Sequence, residues 1–377
     1  MLTGNNRVVV AMSGGVDSAV AAYLLKREGY DAVGVTMRLW DSEDGAINPS
    51  HQGCCSIDDI EDARLVCQTI GIPHYVVDAR DTFRRDVIEK FVNEYRRGRT
   101  PHPCVSCNDR IKFDFLLRRA AAMDAQYVAT GHYARIARDA QGRLQLLRGV
   151  DHSKDQSYVL FGLTEGLLNH VLLPVGHYSK ESIRSLARQA KLHLAEKRDS
   201  QEICFIPSGD YRDFLSTQFK PEPGFFVDRE GKVLGEHSGI EHFTIGQRRR
   251  LGLSTGQSLF VTRIDAQKKE VELGSSEDLM QKTAFVTSVA YLGEAPRGKI
   301  RVTAKIRYTG KDVGAWLEPG AGSAVLQFDD PQRAVTPGQA AVFYQDDRLI
   351  GGGVIDRLGE VQTEGFDMIS TGTVLES

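Results

Sequence analysis

Between Arg7 and about Gly131, short β-branched runs alternate with stretches whose apolar residues recur at helical spacing. Arg7-Val8-Val9-Val10-Ala11, Asp31 to Arg38, Ile72 to Asp78 and Gln126 to Gly131 read as strands. Ser18 to Glu28 carries Ala19, Val20, Ala22, Tyr23, Leu24 and Leu25 and meets Gly29 as a stop; Ile57 to Ile70, Thr82 to Arg97 and Lys112 to Met123 repeat the helical signal. Strands separated by helices of this length pair in parallel, which predicts a doubly wound α/β sheet with ligands beyond the carboxyl ends of its strands.

The alternation stops around Lys220-Pro221-Glu222-Pro223-Gly224, a boundary signal, and the chain beyond is β-rich. From Lys299 to Tyr308 the pattern alternates strictly, so Ile300, Val302, Ala304 and Ile306 share one face while Lys299, Arg301, Lys305 and Arg307 share the other. Ser323 to Asp329 and Ala340 to Gln345 are further strands, with Asp346-Asp347 as a turn leading to Leu349-Ile350. Short strands at this spacing predict a small antiparallel barrel at the C-terminal end.

A chain of 377 residues exceeds one ordinary core and implies two or three domains. With 41% hydrophobic and 26% charged residues it is of ordinary globular composition. Its net charge of −3 does not describe a uniformly basic nucleic-acid binder, while leaving room for a local basic face. No apolar run reaches the length of a membrane span and the first residues lack a signal pattern, so a cytoplasmic protein without a membrane partner is expected. Six cysteines in a reducing setting read as catalytic, redox or metal-binding where they cluster, and as core elsewhere.

The first chemistry lies in Met12-Ser13-Gly14-Gly15-Val16-Asp17-Ser18, between a strand and a helix. Glycines admit a phosphate close to the backbone, helix-start amides donate to it, and Ser13 and Ser18 add hydroxyls. The loop lacks the lysine of the longer Gly-Lys-Ser/Thr loops, so it suits a different anion, pyrophosphate. It resembles the PP-loop of ATP pyrophosphatases, which cleave ATP between the α- and β-phosphates. A plainer reading makes Asp17 a helix N-cap.

Cys104 and Cys107 form a CxxC in Thr100-Pro101-His102-Pro103-Cys104-Val105-Ser106-Cys107-Asn108, whose prolines predict a loop, and Cys204 lies far downstream. A CxxC serves zinc, redox or iron–sulfur chemistry; a second CxxC that would complete a zinc site is lacking. Cys67 falls on the apolar side of a helix, and the adjacent Cys54-Cys55 are poorly placed to pair with one another.

Together with Gly131-His132-Tyr133, Lys154-Asp155-Gln156-Ser157-Tyr158, Asp199-Ser200 leading to Ile203-Cys204-Phe205-Ile206, Thr244-Ile245-Gly246-Gln247-Arg248 and Thr336-Pro337-Gly338-Gln339, these motifs resemble, in order and spacing, the tRNA-specific 2-thiouridylases. The resemblance runs over almost the whole chain. It implies a PP-loop ATP pyrophosphatase and thiolation domain over 1–207, a central linker domain over 208–278 and a tRNA-contacting β-barrel over 279–377. The implied reaction adenylates the 2-carbonyl oxygen of the wobble uridine in tRNAs for Lys, Glu and Gln, using ATP and Mg2+, and replaces that oxygen by sulfur. Cys204 would carry a persulfide received from a sulfur-relay protein or a cysteine desulfurase, and Cys107 would attack it; both steps favour thiolates. Many family members have aspartate where this chain has Cys104. Two readings of that thiol stand side by side: a spare thiol near a disulfide mechanism, or a ligand, with Cys107 and Cys204, of a four-iron, four-sulfur cluster.

Carried over residue by residue, the nucleotide site comprises Ala11, Met12, Ser13, Gly14, Gly15, Val16, Asp17 and Ser18, with Met37 and Gly131; Met37 also reads as core. Lys154, Asp155 and Gln156 match the uracil- and tRNA-contacting segment, where an amide offers both a donor and an acceptor to a base edge. His132, Arg307, Tyr308 and Gln339 match further tRNA-contacting positions, and Arg248-Arg249-Arg250 is a second basic patch. The rival functions are a PP-loop amide ligase or amidotransferase, which would need an ammonia source, and a nucleotide- or cluster-binding regulator without turnover.

Overall fold

A computed structural model describes residues 6–40, 57–199, 203–206, 209–253 and 258–356; Cys54 and Cys55 lie outside them. The first layer is a parallel sheet of β1 (Arg7–Ala11), β2 (Asp31–Arg38), β3 (His74–Asp78), β4 (Tyr127–Ala129) and β7 (Val171–Leu172), in the order β3-β2-β1-β4-β7. The order reverses between β1 and β4, so the crevice at their carboxyl ends is the topological switch point at which such sheets bind ligands. Val8, Val9 and Val10 are fully buried because helices cover both faces of β1. On one side α1 (Val16–Arg27) packs with α2 (Ile57–Ile70) and the helix Lys180–Gln189. On the other, helical residues 80–96 and 103–121 bury Phe83, Phe91, Ile111 and Leu116. Each such side chain contributes roughly 1.5–3 kcal/mol by leaving water.

The segment carrying Cys104 and Cys107 is helical from Pro103, since proline is favoured at a first helical position, where its missing N–H is not needed. The helix then widens into π turns over Cys107–Phe115. Such turns are rare and recur at functional sites, where they bring residues four and five apart onto one side.

A smaller sheet, β10 (Phe260–Asp265), β11 (Glu270–Gly274), β8 (Gly224–Val227) and β9 (Val233–His237) in that order, closes over Phe226, Ile240, Val261 and Val271. Six antiparallel strands then form a closed barrel: β12 (Met280–Tyr291), β15 (Ser323–Arg333), β14 (Val313–Pro319), β13 (Ile300–Lys305), β16 (Ala340–Gln345) and β17 (Arg348–Asp356), with β17 pairing back onto β12. Val302, Ala304 and Ile306 point into it, as their alternation requires. The hairpin of β5 (Ala134–Arg138) and β6 (Leu144–Arg148), which follows β4, joins this barrel at Arg348 of β17. It went unread in the sequence because Asp139 to Gly142 lacks a two-residue hairpin turn; Asp139 instead organises the loop by accepting from the amides of Gln141 and Arg143. Among the described residues, no helix is long and apolar enough to cross a membrane.

Candidate active site at the switch point

The loop between β1 and α1 lies at the crevice. Gly14 is left-handed (φ +70°), and a Cβ there would stand 2.5 Å from the Asp59 carbonyl oxygen. Gly15 is the helix N-cap, and no side chain caps the first turn, so its amides are left to another acceptor. The reading of Asp17 as N-cap is therefore corrected: Asp17 lies inside the first turn, and its carboxylate accepts from Tyr133 Oη at 2.8 Å and Lys180 Nζ at 2.8 and 2.9 Å. Ser18 Oγ donates to the Gly15 carbonyl and accepts from the Ser13 amide, fixing the turn from within.

Residues from a distant part of the chain surround this loop. Lys180 also pairs with Asp199 at 2.8 Å, which Lys154 meets at 2.8 Å and Arg184 at 3.3 Å. Burial opposes ionisation of Asp199, but the bonds from Lys154 and Lys180 prevail and hold its carboxyl below the usual range. Two residues earlier, Lys197 donates to the Gly14 carbonyl at 2.9 Å and pairs with Asp59 at 2.8 Å and Asp62 at 2.6 Å. The segment leading to Cys204 is thus tied to the phosphate loop twice. Lys180, Lys197 and Asp59 were not legible as site residues, since isolated charges on helices and loops read as solvated surface.

Gly131 packs on the loop so closely that a Cβ would stand 2.6 Å from the Ser18 amide nitrogen. His132 is buried and held neutral, its pKa lowered by burial and by the Lys112 ammonium; its ring nitrogens meet Thr130 Oγ1 at 2.7 Å and Lys112 Nζ at 3.5 Å. Tyr133 joins two sites: its hydroxyl bonds Asp17, its amide donates to Gln156 Oε1 at 3.0 Å, and its carbonyl accepts from the Gln156 amide at 2.9 Å. Met37, near the end of β2, and Ala11 are buried in the cluster containing Phe83, whereas Met12 and Val16 are buried in the separate core on the other face of the sheet.

Beside Gln156 lies an aromatic enclosure. Tyr308 lies near Gln156, and its ring centroid is 5.6 Å from that of His102 and 5.9 Å from that of Tyr158; Lys305 Nζ lies 5.9 Å from the Tyr158 and Tyr308 centroids. Cys104 is exposed near Tyr308 of this enclosure, while Cys107 and Cys204 both pack against the Phe83 cluster. Asp155 faces inward: it accepts from the Gly149 amide, the Ser157 amide and hydroxyl, and Arg148, and so holds the turn that presents Lys154 and Gln156. Gln339 donates to the Thr100 carbonyl at 2.8 Å. Arg307 is half-buried, with its guanidinium on the carbonyls of Arg333 and Ala334. The basic strand face is therefore partly committed, since Arg301 pairs with Asp329 and Lys299 with Gln327, which leaves Lys305 facing the enclosure. Among the described residues, no group of three or more His, Cys, Asp or Glu side chains is placed to hold a metal ion.

The chain matches three family models in succession: a tRNA methyl transferase HUP domain over residues 6–208, a tRNA methyl transferase PRC-barrel domain over 212–275 and an aminomethyltransferase β-barrel domain over 281–355. It is 49% identical over 358 residues to tRNA-specific 2-thiouridylase MnmA 2 of Caldanaerobacter subterraneus subsp. tengcongensis, covering 94% of this chain and 98% of that protein. It is 47% identical over 360 residues to tRNA-specific 2-thiouridylase MnmA of Carboxydothermus hydrogenoformans, again covering 94% and 98%. The model descriptions name methyl transfer and the relatives name thiolation. The glycine loop at the switch point, built for a phosphate, agrees with the relatives. The chain belongs to the tRNA-specific 2-thiouridylase family.

Proposed function

We propose that this protein is an ATP-dependent tRNA sulfurtransferase that converts the wobble uridine of tRNAs for Lys, Glu and Gln to 2-thiouridine. The observation that carries the reading is Tyr133, which bonds Asp17 of the phosphate loop through its hydroxyl and Gln156 through its backbone. A nucleotide on the loop and a base on Gln156 would therefore be neighbours, as adenylation of a base oxygen requires.

The loop amides after Gly15, with Ser13 and Ser18, would cradle the phosphates; Asp17 and Asp199 would offer oxygen donors to Mg2+, which would neutralise phosphate charge. Gln156 and the enclosure of His102, Tyr158 and Tyr308 would take an extruded uracil by its polar edge and its face. The uracil 2-oxygen attacks the α-phosphorus, the bond to the bridging oxygen breaks, pyrophosphate leaves and the N3 proton passes to solvent. The terminal sulfur of a Cys204 persulfide then attacks C2, and the C2–O bond breaks to release AMP. The Cys107 thiolate attacks the Cys204 sulfur, the S–S bond to the base breaks, and N3 regains its proton. A Cys107–Cys204 disulfide remains, which a dithiol reductant returns to two thiols. A persulfide carrier or cysteine desulfurase would reload Cys204 in a reducing compartment, the cytoplasm, where thiols persist. The alternative role for Cys104 is as a ligand, with Cys107 and Cys204, of a four-iron, four-sulfur cluster.

The test is a single-turnover reaction with unmodified tRNA and ATP labelled in the α-phosphate. Pyrophosphate release that depends on tRNA, with label passing transiently onto the RNA and leaving as AMP, supports the reading. Turnover with ammonia and no tRNA would favour the amide-ligase rival, and nucleotide binding without pyrophosphate release would favour the regulator.

A further inference from the structure

We propose that Lys112 is a catalytic residue of this site, its ammonium binding the α-phosphate that receives the base oxygen and later departs as AMP. The assignment rests on the function proposed above. Lys154, Lys180, Arg184 and Lys197, which lie around the loop, each pair with a carboxylate: Asp199 for the first three and Asp59 and Asp62 for the last, with Asp17 also on Lys180. Lys112 is partly buried, and among the described residues it makes no ion pair. Its polar neighbour is the Nε2 of His132 at 3.5 Å.

That neighbour is shaped to hold an ammonium without neutralising it. An ammonium only donates, so His132 Nε2 must be the accepting nitrogen, which leaves Nδ1–H to donate to Thr130 Oγ1 at 2.7 Å. The imidazole is buried and kept neutral, and contributes orientation and no compensating charge. A partly desolvated cation in this state is costly until an anion arrives.

The fold says which anion. Lys112 belongs to the π turns that begin at Cys107, where i→i+5 bonding sets residues five apart on one side, so its ammonium shares a side with that thiol. Its partner His132 follows Gly131, whose backbone lies against Asp17 and Ser18 at the start of α1. The ammonium therefore lies between thiol helix and phosphate loop. Of the three phosphates, the α-phosphate alone must face both the attacking base and the sulfur chemistry.

The experiment compares Lys112→Gln and Lys112→Arg with the native protein in tRNA-dependent pyrophosphate release, and in calorimetric binding of AMP and adenosine. A positioned charge at a reacting phosphate is worth about 100-fold in rate, so Lys112→Gln should lose about that much in kcat with a smaller change in KM for ATP, and Lys112→Arg should recover part of it. The native preference for AMP over adenosine should fall about tenfold in Lys112→Gln. A rate within about threefold of native, or a deficit confined to KM for tRNA, would overturn the assignment, the latter by placing Lys112 on the RNA backbone. Should Lys112→Gln fail to fold, Lys112→Arg and the nucleotide pair in the native protein decide: no preference for AMP overturns it. Absent pyrophosphate release by the native protein, with the AMP preference intact and dependent on Lys112, would sink the function while sparing the phosphate site.

Discussion

The side-chain amide of Gln339 donates to the carbonyl oxygen of Thr100 at 2.8 Å, and the Thr100 amide donates to the Pro337 carbonyl at 2.8 Å. Two motifs that are remote in sequence thus close a clasp through which the barrel holds the start of the Cys104 helix. Gly338, at φ +92°, permits it, since a Cβ there would stand 2.8 Å from the Thr100 nitrogen. Gln339→Ala should cost about 1 kcal/mol of stability and lower thiolation turnover without changing ATP affinity; Gly338→Val should cost more, through strain and collision together. Thermal melts, nucleotide titration and turnover check both. An unaltered turnover in Gln339→Ala would separate the clasp from catalysis.

The two loop glycines should respond differently. Gly14 is left-handed and pressed on the Asp59 backbone, so a side chain there disrupts the loop itself, whereas a Cβ on Gly15 would meet only Ser13 Oγ at 3.3 Å. Gly15→Ala should keep its melting temperature within about 2 °C of native while reducing ATP-to-AMP turnover by about tenfold or more, because the added methyl group stands where a phosphate must approach. Full turnover with an intact fold would remove this amide from the phosphate site.

Asp109 should make stability depend on pH. Burial raises its carboxyl from 3.8 to about 7, against the pull of Lys90 and Arg110, and Oδ1 is buried without a hydrogen-bond partner. Between those two values the folded state keeps a proton that the unfolded state releases, so stability falls as pH rises through the window and levels off above it. Asp109→Asn should therefore be more stable than native at pH 8, by on the order of 4 kcal/mol at most, with the gain vanishing toward pH 4. Denaturant melts at the two pH values decide, and a gain independent of pH would contradict the assignment.

The third thiol separates two sulfur routes. With sulfur travelling through Cys204 and Cys107, Cys104→Ala should keep appreciable thiolation, while Cys107→Ala and Cys204→Ala each lose it. Iron and acid-labile sulfide in anaerobically prepared protein, lost together with thiolation in all three variants, would establish the cluster instead.

The parallel sheet and the phosphate loop were legible because they are local: the β-branched run Val8-Val9-Val10, the loop glycines and the helix after them are contiguous. The inward face of Val302, Ala304 and Ile306 was legible from period two alone. The charges that complete the site were not. Lys180 and Lys197 come from sequence far from Asp17 and Gly14, and nothing local distinguishes them from surface lysines. The basic face of β13 misled in part, since pattern shows which side a residue takes and not that Arg301 would find Asp329 across the sheet. The prolines around Cys104 pointed to a loop, but Pro103 takes the helix-start position where its ring fits.

The most direct test of the account is nucleoside analysis of tRNA for Lys, Glu and Gln from cells lacking this protein, complemented with the native gene or with Cys204→Ala. The account predicts that 2-thiouridine at the wobble position is absent without the protein, restored by the native gene and not by Cys204→Ala. Unchanged 2-thiouridine in cells lacking the protein, or its full restoration by Cys204→Ala, would contradict it.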